Sequence, residues 1–233
     1  MGRTCTIAGF NMEVISLNNK VITAPSGKWI FQPPTSVTIG WRTYNTALMP
    51  DGRVWTTVNL DYAWQGLHIQ TSSSDTYENI QAAYYNFDET TYGWDGSRDG
   101  LLYTWYAVRY LDNNRDTLLP PGWHVPSVSE FENLISSLGG QEVAGLHLKS
   151  TTGWDNDGNG DGSTDFDARP SGFRSYATGM PFSGYGNVCL LWTRNNGTFF
   201  PYQYRMHYYG DMIYQDHNPE NQHCSLRLIM DAV

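Results

Sequence analysis

Six histidines punctuate the chain, at positions 68, 124, 147, 207, 217 and 223. No two of them stand four residues apart, the interval that places two imidazoles on one face of a metal-binding helix. His217, Glu220, His223 and Cys224 crowd into one stretch, but without a defined scaffold spacing they read as polar surface residues rather than as a zinc set. The three cysteines, Cys5, Cys189 and Cys224, are odd in number and far apart, which excludes a CxxC site and a disulfide framework. A single Cys189–Cys224 bridge stays open beside the favoured reading of two buried thiols. GxSxG, SxxK, GxxxxGK[ST] and GxGxxG are all missing, so neither an activated serine nor a phosphate cradle is written into the chain. Acidic pairs occur, yet nothing marks one as positioned for acid–base work.

The one metal-like string is DNDGNGDGSTDFD over 155–167, where Asp157, Asn159, Asp161 and Asp165 fall at alternating positions with Gly162 among them. Oxygen ligands at every second residue suit a hard cation such as calcium. The twelfth position is Ala168 counted from Asp157 and Phe166 counted from Asp155, so the bidentate Glu that completes an EF-hand is missing. Calcium at these four residues and a solvated acidic turn both stay open. No cofactor is required by anything else in the chain.

The elements that must position such groups follow from composition and periodicity. With 233 residues the chain can bury one substantial core. Charged residues make up only 16%, while Gly (23), Tyr (16) and Trp (9) abound, a mix that favours short strands and turns over long helices. A net charge of −9 with no Lys/Arg run argues against nucleic acid as a partner. No apolar stretch reaches the length of a membrane helix, and the opening MGRTCTIAGF lacks the basic and apolar regions of a signal peptide. Neither membrane insertion nor a signal peptide in this chain is expected.

Residues 1–35 read as a small N-terminal β segment for attachment or packing, with MEVISL and KVITA paired around Asn18-Asn19 and then WIFQ, closed by Pro33-Pro34. Residues 36–233 form the main domain, which opens with SVTIGWRTY and a hairpin across Pro50-Asp51-Gly52. In GLLYTWYAVRYL, Leu101, Trp105, Val108 and Tyr110 or Leu111 fall near helical spacing before Asp112-Asn113-Asn114, which predicts one buried helix. A second helix is capped by Ser127 and Glu130, shows an apolar face of Phe131, Leu134, Ile135 and Leu138, and stops at Gly139-Gly140. No helical period survives after Gly140. The prediction is α+β, with two helices, short antiparallel strands and many loops.

Several phrases stand in one order: VTIG, DGRVWTTVNLDY, YGWDG, GLLYTWYAV, PPGWHVPSVSEFENL, LKSTTGW, FDARPSGFRS, LLWTRNNG and SLRLIMD. Together, over Ser36 to Val233, they resemble the Fibrobacter succinogenes major paralogous domain family of the C-type-lectin-like, formylglycine-enzyme-like fold group. Within it the chain is similar to the variable proteins of diversity-generating retroelements of gut Bacteroides and their phages. That resemblance implies a C-type-lectin-like fold and a non-enzymatic binding protein on a virion tail tip or a bacterial cell surface. Its segment 192–227 would be rewritten at template adenines and displayed to a protein or glycan on a target cell. A homotrimer is one option it carries. Formylglycine chemistry is not implied, because Cys189 and Cys224 stand in no matching motif. Neither is calcium-dependent sugar binding, because EPN, QPD and WND are missing and Asn218-Pro219-Glu220-Asn221 has the wrong order.

The implied rewriting sorts the segment. Adenine substitution in AAC or AAT codons reaches Tyr, His, Asp, Gly, Phe and Asn, but not Met, Gln, Glu, Lys or Trp. Phe199, Phe200, Tyr202, Tyr204, His207, Tyr209, Gly210, Tyr214, Asp216, His217 and Asn218 are then expected on one exposed face. Gln203, Met206, Met212, Gln215, Glu220 and Gln222 are expected as framework, with Trp192, Met212, Ile213, Leu226, Leu228 and Ile229 as buried partners. Tyrosine and histidine are suited to display because they give large amphipathic contacts at low entropic cost. A fixed surface or scaffold protein of the same family, binding one polysaccharide or serving assembly, is the alternative.

Overall fold

A computed structural model of the chain describes residues 3–7, 10–14, 21–23, 30–70, 81–83, 99–175 and 182–231. At the N-terminus β1 (Arg3–Ile7) pairs antiparallel with β2 (Phe10–Val14), and β3 (Val21–Thr23) with β4 (Ile30–Gln32). Two strand pairs are present, as expected, but each is a local hairpin, so the strand holding Met12 pairs backward and the one holding Val21 pairs forward. The Asn18-Asn19 turn expected to join them lies outside the described residues, as does YGWDG.

A five-stranded sheet runs in the order β11 (Trp123–His124), β18 (Ile229–Met230), β7 (Val54–Thr56), β6 (Arg42–Leu48), β5 (Ser36–Ile39). The expected hairpin across Pro50-Asp51-Gly52 joins β6 to β7 with Ala47 opposite Trp55. Asp51 sets it: one carboxylate oxygen accepts the Arg53 amide at 3.1 Å and the other accepts the Trp55 indole N–H at 3.1 Å, while Gly52 takes φ +78. The last strand of the chain, β18, pairs with β7 and β11, which ties the end of the domain to its beginning.

The larger sheet follows the order β16 (Ile213–His217), β15 (Pro201–His207), β14 (Val188–Asn196), β12 (Ser171–Arg174), β17 (His223–Cys224), β10 (Leu102–Thr104), β9 (Gln81–Ala83), β8 (His68–Gln70), with β13 (Phe182–Tyr185) paired to β12. Strand β14 is buried on both faces. Val188, Leu190 and Trp192 enter one core with Trp64, Tyr103 and Leu226, while Cys189 and Leu191 enter a second core with Trp55, Phe131 and Phe166. A strand sandwiched in this way reads as a continuous apolar run because alternation puts side chains on both sides.

Among the described residues the α-helices are α1 (Trp105–Asn113), α2 (Arg115–Leu118), α3 (Val128–Ser137) and α4 (Gln141–Leu148). Helix α3 has its capping box, with the Ser127 hydroxyl at the Glu130 amide and the Glu130 carboxylate at the Ser127 amide. Helix α1 starts later than the periodicity suggests. Residues 102–104 are strand β10, inserted between β17 and β9, and the Thr104 hydroxyl caps the helix by accepting from the Ala107 amide at 3.3 Å. The prediction of only two helices is corrected by α2 and α4. Helix α4 escapes the sequence because only Ala144, Gly145 and Leu148 are buried on it, too few large apolar residues to make a periodic stripe. No described helix is long and apolar enough to cross a membrane.

Arg227 pins the two halves together. Its guanidinium is fully buried and donates to Asn59 Oδ1 at 2.6 Å, to the Thr56 and Phe166 carbonyls at 2.8 Å and to the Asp167 carbonyl at 3.0 Å. It also lies 4.9 Å from the centre of the Phe166 ring. Burial lowers its pKa to about 10, so it stays a cation at neutral pH.

Candidate ligand-binding surface

Strands β14, β15 and β16 form an antiparallel ribbon that carries the segment rich in tyrosine. Across β15 and β16, Tyr202 faces His217, Tyr204 faces Gln215 and Met206 faces Ile213, while Gln203 faces Asp216 and Arg205 faces Tyr214. Successive side chains of a strand point to opposite sides, so the first three pairs share one face and the last two share the other. The expected display on a single face is thereby corrected: Tyr202, Tyr204 and His217 lie on one side of the ribbon, and His207, Tyr214 and Asp216 on the other.

The first face packs toward α3. Tyr204 is only 2% exposed, its ring stacked on Phe131 at 4.6 Å between centroids. Its hydroxyl donates to the Val128 carbonyl at 3.4 Å and accepts from the Gln215 side-chain amide at 3.2 Å. Burial pushes its pKa up to about 12. Tyr204 is therefore core and not display, whereas Gln215, expected as framework, is exposed. Met212 is half-buried rather than a core residue, because it lies in the β15–β16 turn. Gln203, Met206 and Gln222 are buried as expected, as are Trp192, Ile213, Leu226, Leu228 and Ile229. Beyond Tyr204 the face opens: Tyr202 is half-buried, His217 is exposed, and Phe200 stacks on His217 at 6.3 Å and 15°. Phe199 is 86% exposed at the neighbouring turn. A cavity of about 280 Å³ lies where Tyr204, Ile213 and Gln215 meet Glu132, Ile135, Ser136 and Gln141.

On the second face Arg205 pairs with Asp216 at 2.8 Å and sits 5.5 Å from the Tyr214 ring centre. His207 stacks on Tyr209 at 4.8 Å and meets Tyr214 edge-on at 6.3 Å. Burial, then the positive charge of Arg205, lowers the His207 pKa, which keeps the ring neutral and fit for stacking near pH 7. Tyr209, 66% exposed, projects at the tip. Two buried donors on this face, Gln203 Nε2 and Arg205 Nε, have no hydrogen-bond partner among the described residues.

The turn from Tyr208 to Met212 is held from below. Lys149 Nζ donates to the Gly210 carbonyl at 3.0 Å, and the Leu146 amide donates to the Asp211 carbonyl at 3.1 Å. A Cβ on Gly145 would lie 2.6 Å from the carbonyl oxygens of both Asp211 and Met212, so only glycine lets α4 come this close. Gly210 is the reverse case, since a Cβ there would meet nothing within 4 Å. Asn218 is half-buried and its amide donates to the Pro201 carbonyl at 3.3 Å, closing the far end of the hairpin.

The acidic string does not assemble. Among the described residues no group of three or more His, Cys, Asp or Glu side chains is placed to hold a metal, so Asp157, Asp161 and Asp165 do not converge. Asp161 is engaged elsewhere, with His147 Nδ1 at 2.7 Å and the Ser163 amide at 2.9 Å, and Asn159 accepts the Trp154 amide at 3.1 Å. These bonds make the string a closed loop against α4. Cys189 and Cys224 are both free and buried thiols, and burial raises the pKa of each. Buried protonated thiols are poor nucleophiles.

Sequence reasoning did not single out Glu132, Ser136 and Gln141 of the cavity, which precede the ribbon's first residue, Val188, by dozens of residues. Their exposed positions on α3 and at the start of α4 give no local signal. The family model of the Fibrobacter succinogenes major domain matches residues 51–230. No curated protein and no solved structure matches the chain.

Proposed function

The chain belongs to the Fibrobacter succinogenes major domain family, and we propose that it works by binding a partner rather than by catalysis. The partner is a protein or glycan of a target cell, met from a virion tail tip or a bacterial cell surface. In this reading the domain has a C-type-lectin-like fold, needs no cofactor, and presents side chains diversified by a retroelement along the β14–β15–β16 ribbon. One observation carries it: Phe199, Phe200, Tyr209 and His217 are exposed along a hydrogen-bonded ribbon whose Tyr208–Met212 turn is fastened by Lys149 and α4. Exposed aromatics on rigid backbone give large contact area at little entropic cost, the physics of a binding surface. The open space around Gly210, where an added Cβ meets nothing within 4 Å, supports diversification.

Two experiments test the two halves of this reading. Binding of the purified chain to intact target cells should fall when Phe199 and Tyr209 are both changed to Ser, and unchanged binding would end the display reading. A near-copy of the 192–227 coding segment beside a reverse transcriptase gene, differing only at adenines, would support diversification, and its absence would end that part alone. A fixed surface protein of the same family is the second reading. It is favoured by the mismatch at Tyr204 and Gln215, where the adenine-reachable residue is core and the unreachable one is displayed.

A further inference from the structure

The cavity between α3 and the outer strand has a chemistry that the aromatic ribbon lacks. Ile213 and the Tyr204 ring give it an apolar floor, and Glu132, Ser136, Gln141 and Gln215 give it polar walls. Among the described residues no lysine, arginine or histidine lines it. Two amides, a hydroxyl and a carboxylate offer donors and acceptors to hydroxyl groups, while the carboxylate and the net charge of −9 oppose an anion. Further along the same face, Tyr202 and the stacked pair Phe200 and His217 form a shelf beside the cavity. A flat aromatic shelf takes the apolar face of a ring whose edge carries polar groups. At about 280 Å³ the cavity lies just below the range of roughly 300–1,000 Å³ for small-molecule sites, room for a small ring and not for a large side-chain cluster.

The geometry points to a neutral, hydroxyl-rich ligand: one pyranose unit of an uncharged surface glycan sits in the cavity, and the next unit lies over Phe200, Tyr202 and His217. This rests on the reading that the ribbon binds a partner, and it names the class. An extended peptide added to the edge strand β16 is disfavoured. The His217 amide is already taken by Asp216 Oδ1 at 2.9 Å, and helix α4 lies against the strand.

The test is affinity electrophoresis of the full chain, in EDTA, through gels holding an α-mannan, a β-glucan, a galactan, a xylan or polygalacturonate. At least one neutral polymer should retard the chain and polygalacturonate should not. Gln215→Ala and Glu132→Ala, both at exposed positions, should each weaken that retardation about tenfold or more, the scale of one or two lost hydrogen bonds, with the melting temperature unchanged for Glu132→Ala and lowered for Gln215→Ala only by the loss of its bond to Tyr204. Trp41→Ala, an exposed aromatic between β5 and β6 and outside the ribbon, should leave it intact. Failure of every neutral polymer, preference for polygalacturonate, or retardation insensitive to Gln215→Ala would overturn the inference, the last pointing to an edge-paired or aromatic-only partner. Cell binding separates this from the wider reading: loss with Tyr209→Ala but not with Gln215→Ala removes the cavity and keeps the ribbon, while insensitivity to both removes both.

Discussion

Tyr204 stacks on Phe131 with ring centroids 4.6 Å apart, so the middle of the aromatic segment is bolted to helix α3 instead of facing solvent. Tyr204→Ala should therefore cost about 3–5 kcal/mol, as large aromatic truncations in cores do. Tyr204→Phe should cost only about 1 kcal/mol, for the hydrogen bonds to Val128 and Gln215. Denaturant titration of the two variants measures both, and equal small losses would place Tyr204 outside the core.

Gly145 and Gly210 should respond in opposite ways. Gly145→Ala forces a Cβ against the Asp211 and Met212 carbonyls and should destabilise by about 1–3 kcal/mol, as overpacking does. Faster amide exchange from Tyr208 to Ile213 should accompany it. Gly210→Tyr should change stability by less than about 0.5 kcal/mol, the usual range for an open surface site.

Glu130 should make the domain sensitive to acid. Burial alone would raise its carboxyl, but hydrogen bonds from His124 and from the Ser127 amide and hydroxyl outweigh it and hold the pKa at about 2, below the ordinary 4.5. A depressed folded pKa stabilises above the unfolded value, so this contribution is complete above pH 4.5 and is lost as pH falls toward 2. On the order of 3 kcal/mol should disappear across that window. A curve of stability against pH for Glu130→Gln should lack that slope.

Arg227→Met should be as damaging as the loss of the Tyr204 ring. It would leave Asn59 Oδ1 and the carbonyls of Thr56, Phe166 and Asp167 without their buried donor. A loss of about 3–5 kcal/mol is expected, read from the shift in denaturation midpoint. Tolerance of this variant would contradict the role of Arg227 as a pin.

Cys189 and Cys224 should resist thiol reagents. Both are fully buried, and burial raises the Cys189 pKa to about 12. In the native protein an aromatic disulfide reagent should modify at most Cys5, with the other two thiols appearing only in denaturant. Rapid modification of either in native buffer would show that the core opens.

Local chemistry was legible wherever a short stretch fixes its own backbone. Ser127 and Glu130 announce helix α3 because a capping box closes within four residues, and Pro50-Asp51-Gly52 announces a hairpin because Asp51 and Gly52 make the turn between themselves. Helix α4 was illegible for the opposite reason. Its place is dictated by a turn some 65 residues later, which demands glycine at 145 and leaves few apolar residues to mark a periodic face.

The ribbon divides the same way. Residue types alone determined that the segment from Trp192 to Arg227 is too polar and too aromatic to be wholly core, while the division into displayed and framework residues that the resemblance implies holds for Gln203, Met206 and Gln222 and fails for Tyr204 and Gln215. Only tertiary structure decided which side each aromatic takes. That choice rests on the register of β15 against β16 and on the helix that covers one face. A shift of a single residue in that register would exchange Tyr204 for Arg205 against Phe131.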